Sequence, residues 1–141
     1  MLSIENIASI LYDLSLCAFK KGEIPVSAIV IHNNKVNSKA YNLREKNNDI
    51  TAHAEILSLK KAAKKLKTWN SADCEMYVSL KPCKMCEEVI KQSRIKKVYY
   101  LLDKLDYKHD YDKTSFNKVI NNDFSDSYQQ LLSDFFQNKR Q

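Results

Sequence analysis

Residues 51–57 read TAHAEIL, and this short stretch carries the side chains on which the interpretation of the whole chain depends. His53 and Glu55 are two positions apart, a spacing that places side chains on opposite faces of a helix. The helical pattern that runs to about Leu66 begins here, just after a candidate N-cap, Thr51. At a helix start, side chains can reach past the helix end and meet on its axis. We therefore predict that His53 and Glu55 serve one site.

A second motif, PCKMC, occupies residues 82–86 at the start of another predicted helix. Proline is tolerated in a first helical turn, and Cys83 and Cys86, at i and i+3, are expected on one face of that turn. Thiolates gain there from the helix dipole and the exposed amides. If the two helix starts point to one place, His53, Cys83 and Cys86 surround one ion. Three protein ligands leave tetrahedral Zn²⁺ an open fourth position, which is typical of catalytic sites.

Glu55 is predicted to carry protons rather than to bind the ion. Two thiolates and a neutral imidazole cancel the charge of zinc, so a bound water needs a carboxylate beside it to take the proton and deliver it onward.

Each motif also has a simpler explanation. His-x-Glu alone is common on protein surfaces, and Cys-x-x-Cys alone is also the pattern of a thiol redox pair. A redox pair would leave His53 and Glu55 without a role, and the sequence has no second Cys-x-x-Cys for a four-cysteine structural site. The combination therefore favours zinc chemistry. The other cysteines, Cys17 and Cys74, are predicted to lie in the core.

The rest of the sequence predicts an α/β fold. Apolar residues at helical spacing follow a candidate N-cap at Ser3 and end at Gly22. A β-branched run then turns at the pair Asn33-Asn34 into a more polar partner, which predicts a hairpin. The further predicted elements are a strand at 75–80, a helix at 83–93, a buried strand at 97–102, a loop at 103–115, a short helix at 116–122, and a final helix at 127–140 with Leu131, Leu132, Phe135 and Phe136 facing inward.

Strands that alternate with helices imply parallel neighbours covered on both faces. The expected architecture is a three-layer α/β/α sandwich with a mixed central sheet. A length of 141 residues suits a single domain over residues 1–141.

Composition narrows the class of protein. The apolar fraction of 44% and the charged fraction of 28% are typical of a globular protein. No apolar run approaches the roughly 20 residues needed to cross a bilayer, and the N-terminus lacks the basic start of a signal peptide, so we expect no membrane association and a cytoplasmic location. The net charge of +6 permits a polyanionic partner such as RNA, although a chain rich in Lys and Asn can be basic without binding one.

The pairing of HAE with PCKMC is the signature of the zinc-dependent cytidine and adenosine deaminase superfamily. The segments EIPVSAIVIHNNKV, AYN, TAHAEIL, YVSLKPCKMCEEVIKQSRI and LLSDFF resemble the bacterial tRNA-specific adenosine deaminases, over about residues 22–98 and the last helix. That resemblance implies a cytidine-deaminase-like fold and hydrolytic conversion of the wobble adenosine (A34) of an arginine tRNA to inosine, with a zinc-bound hydroxide attacking C6.

The resemblance also assigns roles to residues. His53, Cys83 and Cys86 would hold one zinc ion per subunit and Glu55 would be the proton shuttle. Asn42 would hydrogen-bond the flipped base, and the Ala54 amide would lie near the attacked atom. Each has a simpler alternative, since Asn42 could merely end a strand and any helix start has free amides. The family forms homodimers that bind a tRNA anticodon stem-loop, so both partners are implied.

The sequence departs from the family at several places. Lys81 stands where the family usually has Glu, and Ser27 replaces a glycine of the first strand. The loop that holds the tRNA is rewritten as DKLDYKHDYDKTSFN (103–117). The family's acidic residue there is matched with Asp103, with Lys104 beside it. Lys139 and Arg140 are expected to contact phosphates, while Tyr107, His109 and Tyr111 either stack on bases or pack the loop on its own domain.

The rewritten loop leaves two other functions open. One is a deaminase of the same fold that acts on a free base or nucleoside of guanine or cytosine type. The other is a weakly active, zinc-stabilised RNA-binding partner subunit, against which the intact Glu55 argues.

Overall fold

The computed structural model describes residues 2–103, 115–118 and 122–139. The chain divides into two compact units, Met1–Asp106 and Tyr107–Gln141. The first unit contains α1 (Ile4–Lys20), β1 (Ser27–His32), β2 (Lys35–Tyr41), α2 (Arg44–Asn47), α3 (Ala54–Leu66), β3 (Cys74–Leu80), α4 (Lys84–Gln92) and β4 (Lys97–Leu102). The second contains α5 (Asn122–Lys139). The single domain over residues 1–141 stays a prediction.

The central sheet is mixed, as predicted, with the strand order β2-β1-β3-β4. β1 is antiparallel to both β2 and β3, and β3 is parallel to β4 with α4 as the crossover between them. The hairpin turns at Asn33 and Asn34, whose φ angles are 51° and 61°. A two-residue hairpin turn of this kind needs positive φ at both positions, and asparagine tolerates that conformation better than most residues.

Helices cover both faces of the sheet, which confirms the three-layer sandwich. On one face, Ile7 and Leu11 of α1 pack on Ile29 and Ile31 of β1. On the other face lies the larger apolar cluster, in which α3 and α4 pack on the strands; it includes Val30, Ile56, Leu59, Met76, Cys86 and Ile90. The sheet therefore separates α1 from the two helices that carry the HAE and PCKMC motifs.

β2 is an edge strand, and two lysines of α3 cover part of its free edge. The Lys61 ammonium donates to the carbonyl of Lys39 at 2.8 Å, and the Lys65 ammonium donates to the carbonyl of Asn37 at 2.5 Å. The two lysines are four positions apart, so they lie on the same side of α3.

Several sequence-based expectations need correction. β4 is a strand, but Tyr99, Tyr100, Leu101 and Leu102 are exposed rather than buried. In the described part of the chain β4 lies at the edge of the sheet and pairs with β3. Cys74 is buried as predicted, whereas Cys17 is exposed because Ala18 takes the inward position of that turn.

α5 confirms the predicted final helix but begins earlier, at Asn122. Residues 116–118 of the predicted short helix have no regular structure, and 119–121 lie outside the described residues. The expectation that the apolar face of α5 points inward is wrong: its members are exposed, namely Leu131, Leu132, Phe135 and Phe136. Periodicity identifies an apolar face without indicating what covers it. Among the described helices, none combines the length and hydropathy needed to span a membrane.

Candidate metal centre

His53 lies immediately before α3 rather than inside it. It is the N-cap residue, with an extended backbone at φ −78° and ψ 151°, while Glu55 is already in the first helical turn. The rule that places i and i+2 on opposite helix faces therefore does not apply to this pair. Thr51, predicted as the cap, instead hydrogen-bonds Asp49, its hydroxyl donating to the carboxylate at 2.7 Å.

Cys83 has the same position at the start of α4. It is the N-cap, also extended, and Pro82 precedes the helix instead of opening it. The prediction that both cysteines lie within the first turn is thus one residue off. N-cap and third helical position are close in space, so Cys83 and Cys86 still face one another.

The two helix starts bring three potential ligands together. The Sγ atoms of Cys86 and Cys83 lie 3.4 Å and 3.8 Å from Nδ1 of His53, and the ligand atoms of all three residues lie within 4.8 Å of one another. Zn–S and Zn–N bonds of about 2.3 and 2.0 Å in a tetrahedral site place ligand atoms roughly 3.5–3.8 Å apart. The two distances from His53 are close to these values, so the donor set could hold one divalent ion.

Hydrogen bonds within the cluster shift the pKa values of the two thiols in opposite directions. Hydrogen bonds from Cys86 and His53 lower the pKa of Cys83 to about 3. The pKa of Cys86 is raised, because of its hydrogen bond with Cys83 and its burial. The pKa of His53 is raised chiefly by its hydrogen bond with Cys83, against the effects of burial and the positive charge of Arg44. A divalent cation would supply the charge that holds both sulfurs as thiolates.

Glu55 lies beside this cluster but is not part of it. Its side chain is only 3% exposed, and burial is the main cause that raises its pKa. Its Oε1 atom is buried and has no hydrogen-bond partner among the described residues. Such an orphaned acceptor costs roughly 1–3 kcal/mol, which indicates a partner that the protein itself does not provide.

Asn42 and Ala54 are both buried, and Ala54 directly follows His53 in the chain. Asn42 follows the end of β2, where its Oδ1 accepts the amide of Arg44 at 3.0 Å and its Nδ2 makes only a long contact of 3.5 Å to the carbonyl of Ile24. Ala54 is the first residue of α3, so its amide has no helical carbonyl to bind. Both groups retain donor capacity.

The remaining predicted residues are not brought to this cluster by the described structure. Asp103 is exposed. Lys104, Arg140 and the loop aromatics Tyr107, His109 and Tyr111 lie outside the described residues, and only the backbone of Lys139 is described. Lys81 lies over the ring of Tyr100, 5.9 Å from its centroid.

Sequence reasoning missed α2, whose four residues are too few to show a helical period. It also missed Glu23, a buried carboxylate that precedes β1.

Comparisons with known proteins place this fold in a known class. The superposed structures are deaminases, so the fold is cytidine-deaminase-like. The profile of the MafB19-like deaminases matches residues 3–140, and the chain belongs to that family, among the tRNA-specific adenosine deaminases.

Individual relatives support this placement. The tRNA-specific adenosine deaminase of Aquifex aeolicus is 40% identical over 133 residues, 87% of either chain, and that of Buchnera aphidicola is 33% identical over 134 residues, again 87% of either chain. A structure from a study of A-to-I editing by tRNA:A34 deaminases superposes with a TM-score of 0.67 at 29% identity, covering 69% of this chain and 75% of that one. The guanine deaminase of Bacillus subtilis, with a TM-score of 0.79 at 23% identity over 94% and 95% of the two chains, reports on the fold alone.

Proposed function

We propose that this protein deaminates the wobble adenosine (A34) of tRNA to inosine by hydrolysis, with an arginine tRNA as its substrate. One observation carries the proposal. The chain has a His53/Cys83/Cys86 cluster and, in the same stretch as His53, a buried Glu55 whose Oε1 atom has no hydrogen-bond partner among the described residues. The relatives that match 87% of the chain bear the name of this activity.

The metal that the cluster would hold is zinc, one ion per subunit. Two sulfur donors and one imidazole suit zinc better than hard cations, which prefer oxygen. Nδ1 of His53 and the Sγ atoms of Cys83 and Cys86 would be the ligands. When bound, zinc lowers the pKa of a water molecule so that it becomes a nucleophile at neutral pH.

Glu55 moves the proton that the reaction requires. Hydrolysis of the amino group takes a proton from the attacking water and returns one to the departing ammonia. Because burial raises the pKa of Glu55, its carboxyl group can hold the proton between these two transfers. The unpaired Oε1 is the atom that would accept it.

Asn42 and Ala54 would orient the adenine ring. The Nδ2 group of Asn42 and the first amide of α3, which directly follows His53, both have donor capacity. Asp103, Lys104, Lys139 and Arg140 would contact the RNA of the anticodon stem-loop, and for the three basic residues this is in line with the basic net charge. A homodimer is the expected assembly, and the cytoplasm, where tRNA is processed, the expected location.

The test uses an arginine-tRNA anticodon stem-loop with adenosine at the wobble position. The purified protein is incubated with it and inosine is read by mass, with bound zinc counted in the same sample. Glu55→Ala protein and a stem-loop with guanosine at the wobble position are the controls. Inosine from the wild type alone supports the proposal. A zinc-loaded wild type that makes no inosine but releases ammonia from free guanine or cytosine would refute the RNA substrate.

A further inference from the structure

Glu23 is a buried carboxylate to which the proposed chemistry gives no role. It lies between α1 and β1 and is 5% exposed. Its Oε1 atom accepts the backbone amide of Glu45 at 2.9 Å, and its Oε2 atom accepts that of Lys46 at 2.8 Å. Both carboxylate oxygens are therefore committed to the start of α2, which is 22 residues away in sequence.

α2 depends on this carboxylate because it cannot cap itself. Its N-cap residue, Leu43, makes no side-chain hydrogen bond, and a helix start leaves amides that need acceptors. Asn42 Oδ1 accepts the amide of Arg44 at 3.0 Å, and Glu23 accepts the next two. Three consecutive amides are thus fixed by two buried side chains.

This arrangement ties the turn to the metal cluster. The Leu43 amide donates to the carbonyl of Ala52 at 2.9 Å, directly before His53. The Asn42 amide donates to the carbonyl of Val26 at 3.0 Å. Arg44 is close enough for its charge to act on the His53 ring. The position of the Asn42 side chain relative to the cluster is therefore set partly by what holds the amides of α2.

We propose that Glu23 is a positioning residue for substrate binding: by holding the start of α2, it fixes Asn42 and Arg44 beside the His53/Cys83/Cys86 cluster. The inference rests on the proposed function, which gives Asn42 its contact with the base. Oδ1 of Asn42 is used within the turn, so the Nδ2 group is what remains for the substrate. Loss of the carboxylate frees two amides, and the turn no longer holds that group in one place.

Glu23→Gln tests the role with little change in volume, because it replaces one accepting oxygen with an NH₂ group that cannot accept an amide. For the anticodon stem-loop we expect kcat/KM to fall roughly 10- to 100-fold, the size of effect that a small displacement of an orienting group has, and we expect most of the fall to come from a higher KM. Because Glu23 acts through Asn42, Glu23→Gln should add little to Asn42→Ala in the double variant.

Ser38→Ala is the matched control. Ser38 is equally buried, and its hydroxyl donates to the carbonyl of Ser58 at 2.7 Å, a bond that involves neither α2 nor Asn42. This variant should unfold at a lower temperature and keep the wild-type KM.

Amide hydrogen exchange, followed by NMR in the metal-loaded protein, gives a readout that does not need activity. Exchange at Glu45 or Lys46, whichever loses its accepting oxygen, should accelerate in Glu23→Gln and stay unchanged in Ser38→Ala. A wild type that makes no inosine refutes the proposed function. The role of Glu23 is overturned separately by unchanged exchange at these amides, or, in an active protein, by an unchanged KM or by effects that add fully to those of Asn42→Ala.

Discussion

Replacing Glu55 with glutamine should abolish turnover while leaving the metal in place. The substitution keeps the size of the side chain but removes its ability to accept a proton. Glu55 is not a member of the ligand cluster, and no described residue uses its Oε1. The variant should therefore bind one zinc ion per chain and bind the stem-loop as the wild type does.

The magnitude follows from the role of the carboxyl group. General acid–base catalysis by one residue contributes about 10²- to 10⁴-fold, and here one residue serves both the attack and the departure of ammonia. We expect the single-turnover rate to fall by at least roughly 10³-fold, which corresponds to about 4 kcal/mol of transition-state stabilisation. In the metal-free protein, Glu55→Gln should raise the free energy of unfolding. Burial opposes the charged form of Glu55, and the neutral glutamine avoids that cost.

The assay is single-turnover inosine formation with enzyme in excess, together with zinc content and stem-loop affinity. Thermal unfolding of chelator-treated protein measures the stability effect. A Glu55→Gln variant within tenfold of the wild-type rate would refute the shuttle. Loss of zinc from this variant would instead show that Glu55 helps to hold the ion.

Three further outcomes test the site and the fold. In metal-free Cys17→Ser protein, iodoacetamide should modify Cys83 at pH 5, because its pKa of about 3 keeps it ionised there, and zinc should protect it; mass mapping reads the result. Asn33→Val should lower the free energy of unfolding by about 1–2 kcal/mol in urea titrations, since a β-branched residue opposes its φ of 51°. Leu11→Ala, at a fully buried position, should cost about 2–5 kcal/mol, whereas Tyr12→Ala, at an exposed one, should stay within about 0.5 kcal/mol by the same titration.

The parts of the fold that local chemistry determines could be predicted from the sequence. The turn at Asn33 and Asn34 was predictable because few residue types accept positive φ twice in succession. The proximity of His53 to the two cysteines was predictable because His53 precedes one helix and Cys83 and Cys86, three positions apart, begin another, which is a typical arrangement of metal ligands. The exact cap positions were not, since one residue of error at a helix end hardly changes the apolar pattern.

Other features depend on contacts that are distant in sequence. α2 is capped by a carboxylate 22 residues earlier, a link that no local pattern reveals. The burial of β4 was predicted wrongly because a run of Val, Tyr and Leu indicates a strand but does not show which neighbours cover it. The apolar face of α5 was predicted to point inward for the same reason, and its residues are exposed.

The lysines that reach across from α3 to β2 also bear on how the protein behaves among other chains. A free sheet edge offers unpaired carbonyls on which a strand from another molecule can form, and this is a common start of aggregation. With Lys61 and Lys65 bonded to two of those carbonyls, an incoming strand would have to displace both ammonium groups and would meet their positive charge. Pairing of the hairpin's free edge with a strand of another molecule is therefore disfavoured.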